Sequence, residues 1–173
     1  LRDHRVGRQK VLPGVAYLEM AREALSRSLG DRASSATLSL CHLVWSQPLT
    51  LSEQGTEPAT LEIHINSLDP QRLTFEIRQQ PQRTLCCQGE ALLHDNAVQA
   101  PASLAWLQGA IHGHRLDAEG LYRLFDSIDI HYGPSHRAVR ELRIDGGQVL
   151  AQIQLPPSLS AGHGQFVLHP SLM

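Results

Sequence analysis

The sequence has no surplus of positive charge. Fifteen Lys and Arg stand against 17 Asp and Glu, a formal net charge of −2. That excludes non-specific nucleic-acid binding, which needs a basic excess. No apolar run approaches the ~18 residues that span a bilayer. The opening Leu1-Arg2-Asp3-His4-Arg5 is too charged for a signal peptide. Cysteine is scarce: Cys86 and Cys87 are adjacent and Cys41 stands alone, without the spacing of a disulfide framework or a zinc site. They read as reduced, mostly buried thiols of a cytoplasmic protein. His-Glu-x-x-His and Cys-x-x-Cys are missing, so no metal is expected. Neither a Gly-rich phosphate loop after a strand nor Gly-x-Ser-x-Gly occurs, which removes nucleotide binding and one hydrolase class.

What is present is enough for a core. The 173 residues are 42% apolar and 18% charged, which suits one domain or two small ones. From Gly14 to Leu29, the residues Val15, Leu18, Ala21, Leu25 and Leu29 recur at helical spacing, and Tyr17, Met20 and Ala24 widen the stripe. The spacing predicts a mostly buried helix. Glu19, Glu23 and Arg27 are expected on its remaining face, Pro13 starts it and Gly30 ends it. Alternation then predicts strands around Leu38, Leu40 and Val44, around Leu61, Ile63 and Ile65, around Leu73, Phe75 and Ile77, and over 84–93. An antiparallel meander wrapped on one helix results. The pattern weakens over 95–115, which reads as a linker with one short turn near Leu104 to Leu107. Asp117 is an N-cap for a helix over 118–126, and Asp145-Gly146-Gly147 joins strands over 139–144 and 149–155.

Three segments could carry chemistry. In the first, His4 leads by nine residues to Pro13 and the helix start at Gly14. Free N–H groups at a helix N-terminus can hold a carbonyl oxygen as negative charge grows on it, and a histidine facing that point is a base. An ordinary surface or core histidine fits equally well. The second, Tyr132-Gly133-Pro134-Ser135-His136, also reads as a plain turn, and the third, His169-Pro170, as a loop ending. Arg2, Arg5, Arg8 and Lys10 form a local basic run, either a solvated edge or a face for an acidic partner.

In this order the three segments resemble the dehydratase domain of modular polyketide synthases. His4 to Pro13 has the total spacing of its His-x-x-x-Gly-x-x-x-x-Pro motif, Tyr132-Gly133-Pro134 matches Tyr-Gly-Pro-x-Phe, and His169-Pro170-Ser171-Leu172-Met173 matches the start of the third motif. The wording of the first is most similar to synthases whose acyltransferase acts in trans. The resemblance implies an α+β double hot-dog fold, each half an antiparallel sheet around a helix. An N-terminal hot dog would span 1–95, a linker 96–116, and the start of an incomplete second hot dog 117–173. It implies the dehydration of a β-hydroxyacyl thioester to the α,β-unsaturated thioester, with no cofactor and no metal. His4 would be the general base, Pro13 and Gly14 would face the thioester oxygen, and Tyr132, Gly133 and Pro134 would line the cleft. The partners implied are an acyl carrier protein bearing a phosphopantetheine-linked substrate and neighbouring synthase domains, with a homodimer open and no nucleic acid or membrane.

The departures from the pattern set the alternatives. Arg8 stands where the motif has glycine, with Gly7 one place early, so a bulky cation is expected where the family keeps the backbone bare. His136 replaces phenylalanine. The catalytic aspartate is expected just after Met173. A double-bond isomerase, a pyran-forming cyclase or an inactive scaffold on the same fold are the other readings.

Overall fold

A computed structural model of the chain describes residues 2–51, 58–95 and 103–173. Along the chain run β1 (His4–Val6), β2 (Gln9–Val11), α1 (Gly14–Leu29), α2 (Arg32–Ser35), β3 (Ala36–Trp45), β4 (Thr50–Leu51), β5 (Leu61–Asp69), β6 (Arg72–Gln79) and β7 (Thr84–Asp95). They are followed by α3 (Leu104–Ala110), β8 (His114–Asp117), α4 (Ala118–Ser127), β9 (Ile130–Tyr132), a 3-10 turn (Pro134–His136), β10 (Val139–Asp145) and β11 (Gln148–Ile153), and a second 3-10 segment spans Pro157–Gln165. The chain divides into two compact units, residues 11–98 and residues 1–10 with 99–173.

The unit of residues 11–98 is a helix against an antiparallel sheet of order β3-β7-β6-β5. Helix α1 and strands β3, β5, β6 and β7 fall where periodicity predicts them; the short α2 and β4 were not expected, and β3 lies beside β7 rather than beside the next strand of a simple meander. The apolar stripe of α1 buries Tyr17, Ala21 and Leu25 in one cluster with Leu73, Phe75, Ile77, Cys86, Cys87, Ala91 and Leu93 of the sheet. Removing that apolar surface from water is the main stabilisation of this unit. Gly89 pairs with Phe75, and a Cβ there would stand 2.8 Å from Leu43 Cδ2 and 2.9 Å from Phe75 Cζ. Glycine is thus required by space. The Tyr17 hydroxyl accepts the Leu49 N–H at 3.0 Å, and burial pushes this phenol up to about 12. Burial likewise raises the Cys87 thiol to about 11, so it stays a protonated core thiol. Glu19 departs from expectation: it is only 7% exposed. It is accommodated because Arg22, one turn later, donates to both its carboxylate oxygens at 2.8 and 2.9 Å.

In the unit of residues 1–10 and 99–173, β1 pairs with β2 and with β9, and β8, β10 and β11 form a second antiparallel sheet of order β11-β10-β8. Helix α4 packs against β8, β9 and β10. Asp117 caps α4 as expected, accepting the Gly120 N–H at 2.8 Å. Gly146, at φ +57°, takes the first position of the two-residue turn between Asp145 and Gln148, a left-handed conformation that glycine adopts without cost. Two expectations change here. Residues 1–10 belong with 99–173 rather than with the first layer of 1–95, because β1 finds its hydrogen-bonding partner in β9. The stretch expected as linker, 96–116, carries α3 and the start of β8.

Candidate active site

Strand β1 lies antiparallel to β9, with His4 opposite Tyr132, Arg5 opposite His131 and Val6 opposite Ile130. Residues directly opposite in such a ladder share a face, so His4 and Tyr132 meet with ring centroids 5.3 Å apart, edge to face. Tyr132 is fixed from behind by α4, whose Phe125 and Tyr122 rings lie 5.2 and 5.9 Å away. The Arg137 guanidinium sits over the Tyr122 ring at 5.1 Å and donates to the Tyr132 carbonyl at 2.8 Å. Burial pushes the Tyr132 phenol up, so it is a neutral hydroxyl that can donate.

The turn after Tyr132 is clamped by Asp3, the residue before His4. The Asp3 carbonyl accepts the Gly133 N–H at 2.7 Å and its carboxylate accepts the Ser135 N–H at 3.0 Å. Hydrogen bonds from Ser135 hold this carboxyl below its ordinary range. A Cβ at Gly133 would stand 2.5 Å from Asp3 Cγ, although the Gly133 φ of −80° suits any residue. The glycine of the Tyr-Gly-Pro segment is needed for space, and Pro134 then opens the 3-10 turn. That turn brings His136 to 5.8 Å from the His4 ring, with its Nδ1 2.9 Å from the Ser135 hydroxyl. Burial, then the charge of His4, holds the His136 imidazole below its usual value; His169 acts in the same direction and Asp3 against it. His169 itself accepts the Ser171 N–H at 3.1 Å and meets the Phe166 ring at 5.0 Å. The first and second sequence segments thus converge around one pair of imidazoles, and the third lies within electrostatic reach.

Two departures resolve structurally. Gly7, at φ +57°, occupies the first position of the two-residue turn between Val6 and Gln9, where a type II′ turn needs glycine. Arg8 takes the next position and its side chain is exposed. The expected intrusion of a bulky cation does not occur, because Arg8 lies in the turn with its side chain exposed. His136 takes a place in the wall beside His4 and adds a polar contact to Ser135.

Pro13 and Gly14 belong to the other unit. There Gly14 is the first residue of α1, a position whose N–H has no acceptor within the helix. Its carbonyl accepts from Trp45 Nε1 at 2.9 Å.

Sequence reasoning missed Asp3, Ser135 and the aromatic backing of Tyr132. Asp3 has no local signal, since its partner is 132 residues away. Tyr122 and Phe125 had one: they stand three apart in α4 and so share a helix face.

Comparison with known proteins gives a consistent family. A family model described as polyketide synthase dehydratase domain matches residues 1–80, and one described as polyketide synthase dehydratase N-terminal domain matches residues 107–173. The polyketide synthase PksM of Bacillus subtilis is 35% identical over 179 residues, covering 100% of this chain and 4% of its own length. ThaG of Burkholderia thailandensis, also a polyketide synthase, is 34% identical over 186 residues, again covering 100% of this chain and 3% of its own length. A solved trans-acyltransferase polyketide synthase dehydratase domain from Brevibacillus brevis superposes with a TM-score of 0.89 at 34% identity, covering 99% of this chain and 61% of that one. The chain therefore spans a small fraction of the curated synthases and about three-fifths of the solved domain.

Proposed function

The chain belongs to the dehydratase domains of polyketide synthases, and from that premise we propose that it takes part in removing water from a β-hydroxyacyl thioester carried on an acyl carrier protein. Its fold is the double hot dog, a first layer of antiparallel sheet on a helix with part of a second layer. The observation that carries the reading is the pairing of His4 with Tyr132 across β1 and β9. The α-proton of a thioester is weakly acidic, and its removal needs a base held within about 3 Å of it. In the proposed step a ring nitrogen of His4 takes that proton. The C–H electron pair becomes the new C=C bond, and the bond from the β-carbon to the hydroxyl breaks. In this reading the departing oxygen takes a proton from a carboxylic acid side chain. Tyr132, neutral and held by α4, is positioned to hydrogen-bond the substrate hydroxyl or that acid. Likeness to the Brevibacillus brevis domain supports a synthase of the trans-acyltransferase type.

The test is mass spectrometry of a β-hydroxyacyl group on its carrier protein after incubation with the synthase that contains this chain. The expected product has lost one water and carries the double bond between the α- and β-carbons. An unchanged β-hydroxyacyl group, or a product that only moves an existing double bond, would overturn the proposal.

A further inference from the structure

We propose that Cys41, His42 and Glu90 form a binding site for a divalent transition-metal ion, of the kind that suits Zn2+, on the outer face of the β3–β7 pair. No sequence motif marks it, because two of the ligands are neighbours on one strand and the third comes from the partner strand.

In a regular strand, successive side chains point to opposite faces. Leu40 pairs with Ala91, on the core side, and Cys41 pairs with Glu90. His42 should therefore point into the core. It does not, because the register shifts between Cys41 and Val44. Val44 pairs with Gln88, which leaves His42 and Leu43 facing Gly89, two residues against one. This is a β-bulge. Leu43 takes the inner place against Gly89 and Phe75. His42 turns out to the side of Cys41, with its side chain 75% exposed. The bulge holds His42 at φ +49°, a left-handed conformation that disfavours a residue with a side chain. Glycine is the usual occupant of such a position. A histidine kept there at that cost indicates a use for its ring.

The donor atoms fit an ion. One ligand atom each from Cys41, His42 and Glu90 lie within 4.8 Å of one another, and His42 Nδ1 is 3.4 Å from Glu90 Oε1. Zinc bonds of ~2.0–2.3 Å in tetrahedral geometry place ligand atoms roughly 3.5 Å apart. Side-chain rotation closes the remaining gap. A thiolate, an imidazole and a carboxylate form the mixed sulfur, nitrogen and oxygen set that zinc accepts, and they neutralise its charge. His42 and Glu90, but not Cys41, edge a hollow also lined by Thr74, Glu76 and Gln88, and a water entering from there would complete the shell. On binding, the Cys41 S–H bond breaks, its proton passes to solvent and a sulfur–metal bond forms. His42 and Glu90 each donate a lone pair, and nothing is oxidised or reduced. The bound ion would tie β3 to β7 across the bulge.

The experiment titrates the metal-free 173-residue chain with Zn2+ against a chromophoric chelator, and with Co2+ while recording absorption. The expected result is one equivalent bound, a thiolate-to-cobalt charge-transfer band and a higher thermal midpoint with zinc. Cys41→Ser should lose the band and weaken binding at least ~10-fold, and Glu90→Gln should weaken it measurably. His42→Gly suits the left-handed backbone and so keeps the bulge, yet should lose the zinc-induced rise in midpoint. His114→Gln, an exposed histidine elsewhere, should bind as the parent does. No thiolate band in the parent chain, or parent-like affinity in Cys41→Ser or His42→Gly, would overturn the proposal.

Discussion

The two units use their apolar residues differently. In residues 11–98 the helix and sheet enclose a single cluster in which Tyr17, Phe75, Leu25, Ile77, Cys86 and Cys87 are fully buried. In the other unit the buried apolar residues are sparse, among them Ile111, Tyr122 and Ala138, while Val149 and Ile153 of β11 are 60% and 47% exposed. Its order comes instead from specific polar and aromatic contacts: Asp3 on the Tyr132–Ser135 turn, Tyr122 accepting the Val139 N–H at 3.1 Å, and the rings around Tyr132. A closed core supplies non-directional stability, whereas hydrogen bonds and ring pairs set positions. Stability is concentrated in the first unit and placement of the imidazoles in the second.

Core truncation is the strongest way to break this comparison. Phe75→Ala should cost about 3–5 kcal/mol, read from chemical unfolding. A cost no greater than that of Val149→Ser on the exposed strand would remove the contrast. Gly133→Ala should come next. Its new methyl displaces Asp3 and strips the Ser135 N–H of its acceptor, at about 1–3 kcal/mol, and turnover should fall with it because Asp3 directly precedes His4, the first residue of β1. Gly7→Ala forces a left-handed alanine into the hairpin, at about 1–2 kcal/mol.

The His136 substitution sharpens the comparison by pH. Burial and His4 hold its folded pKa below 6.5, so below that value the unfolded chain binds the proton more readily than the folded one. The contribution of His136 is therefore complete above about pH 6.5 and is lost as pH falls toward its folded pKa. In His136→Phe, the decline of the thermal midpoint below about pH 6.5 should be shallower than in the parent. An identical pH profile would show that His136 is not held neutral. The smallest effect is expected at β11, where Val149→Ser should change stability by no more than about 0.5 kcal/mol, since the side chain is already 60% exposed.

Much of the first unit was legible because its signals are local. The stripe from Val15 to Leu29 and the alternation through Leu61, Ile63, Ile65, Leu73, Phe75 and Ile77 locate α1, β5 and β6 within the observed bounds. Asp117 and Gly146 did the same for a cap and a turn. Three features were not legible. The pairing of β1 with β9 joins residues more than 120 positions apart, and three-residue strands are too short to show a period. Glu19 looked like a solvated position because its burial depends on Arg22 closing over it. The bulge at His42 breaks the alternation that would have announced it. Of the candidate site, His4, Tyr132, Gly133 and Pro134 were singled out from their segments and from the resemblance, and the contacts of Asp3 and Ser135 became visible only once the strands were paired.

The proposed role of His4 as the base belongs to the unit of residues 1–10 and 99–173, while the unit of residues 11–98 holds the larger core. That role is tested most directly by comparing His4→Ala with the parent synthase on a carrier-bound β-hydroxyacyl thioester, with circular dichroism and thermal unfolding run on the same samples. Turnover should drop about 10²–10⁴-fold with an unchanged spectrum and a midpoint close to the parent's. Turnover near the parent level in a folded His4→Ala protein would contradict it.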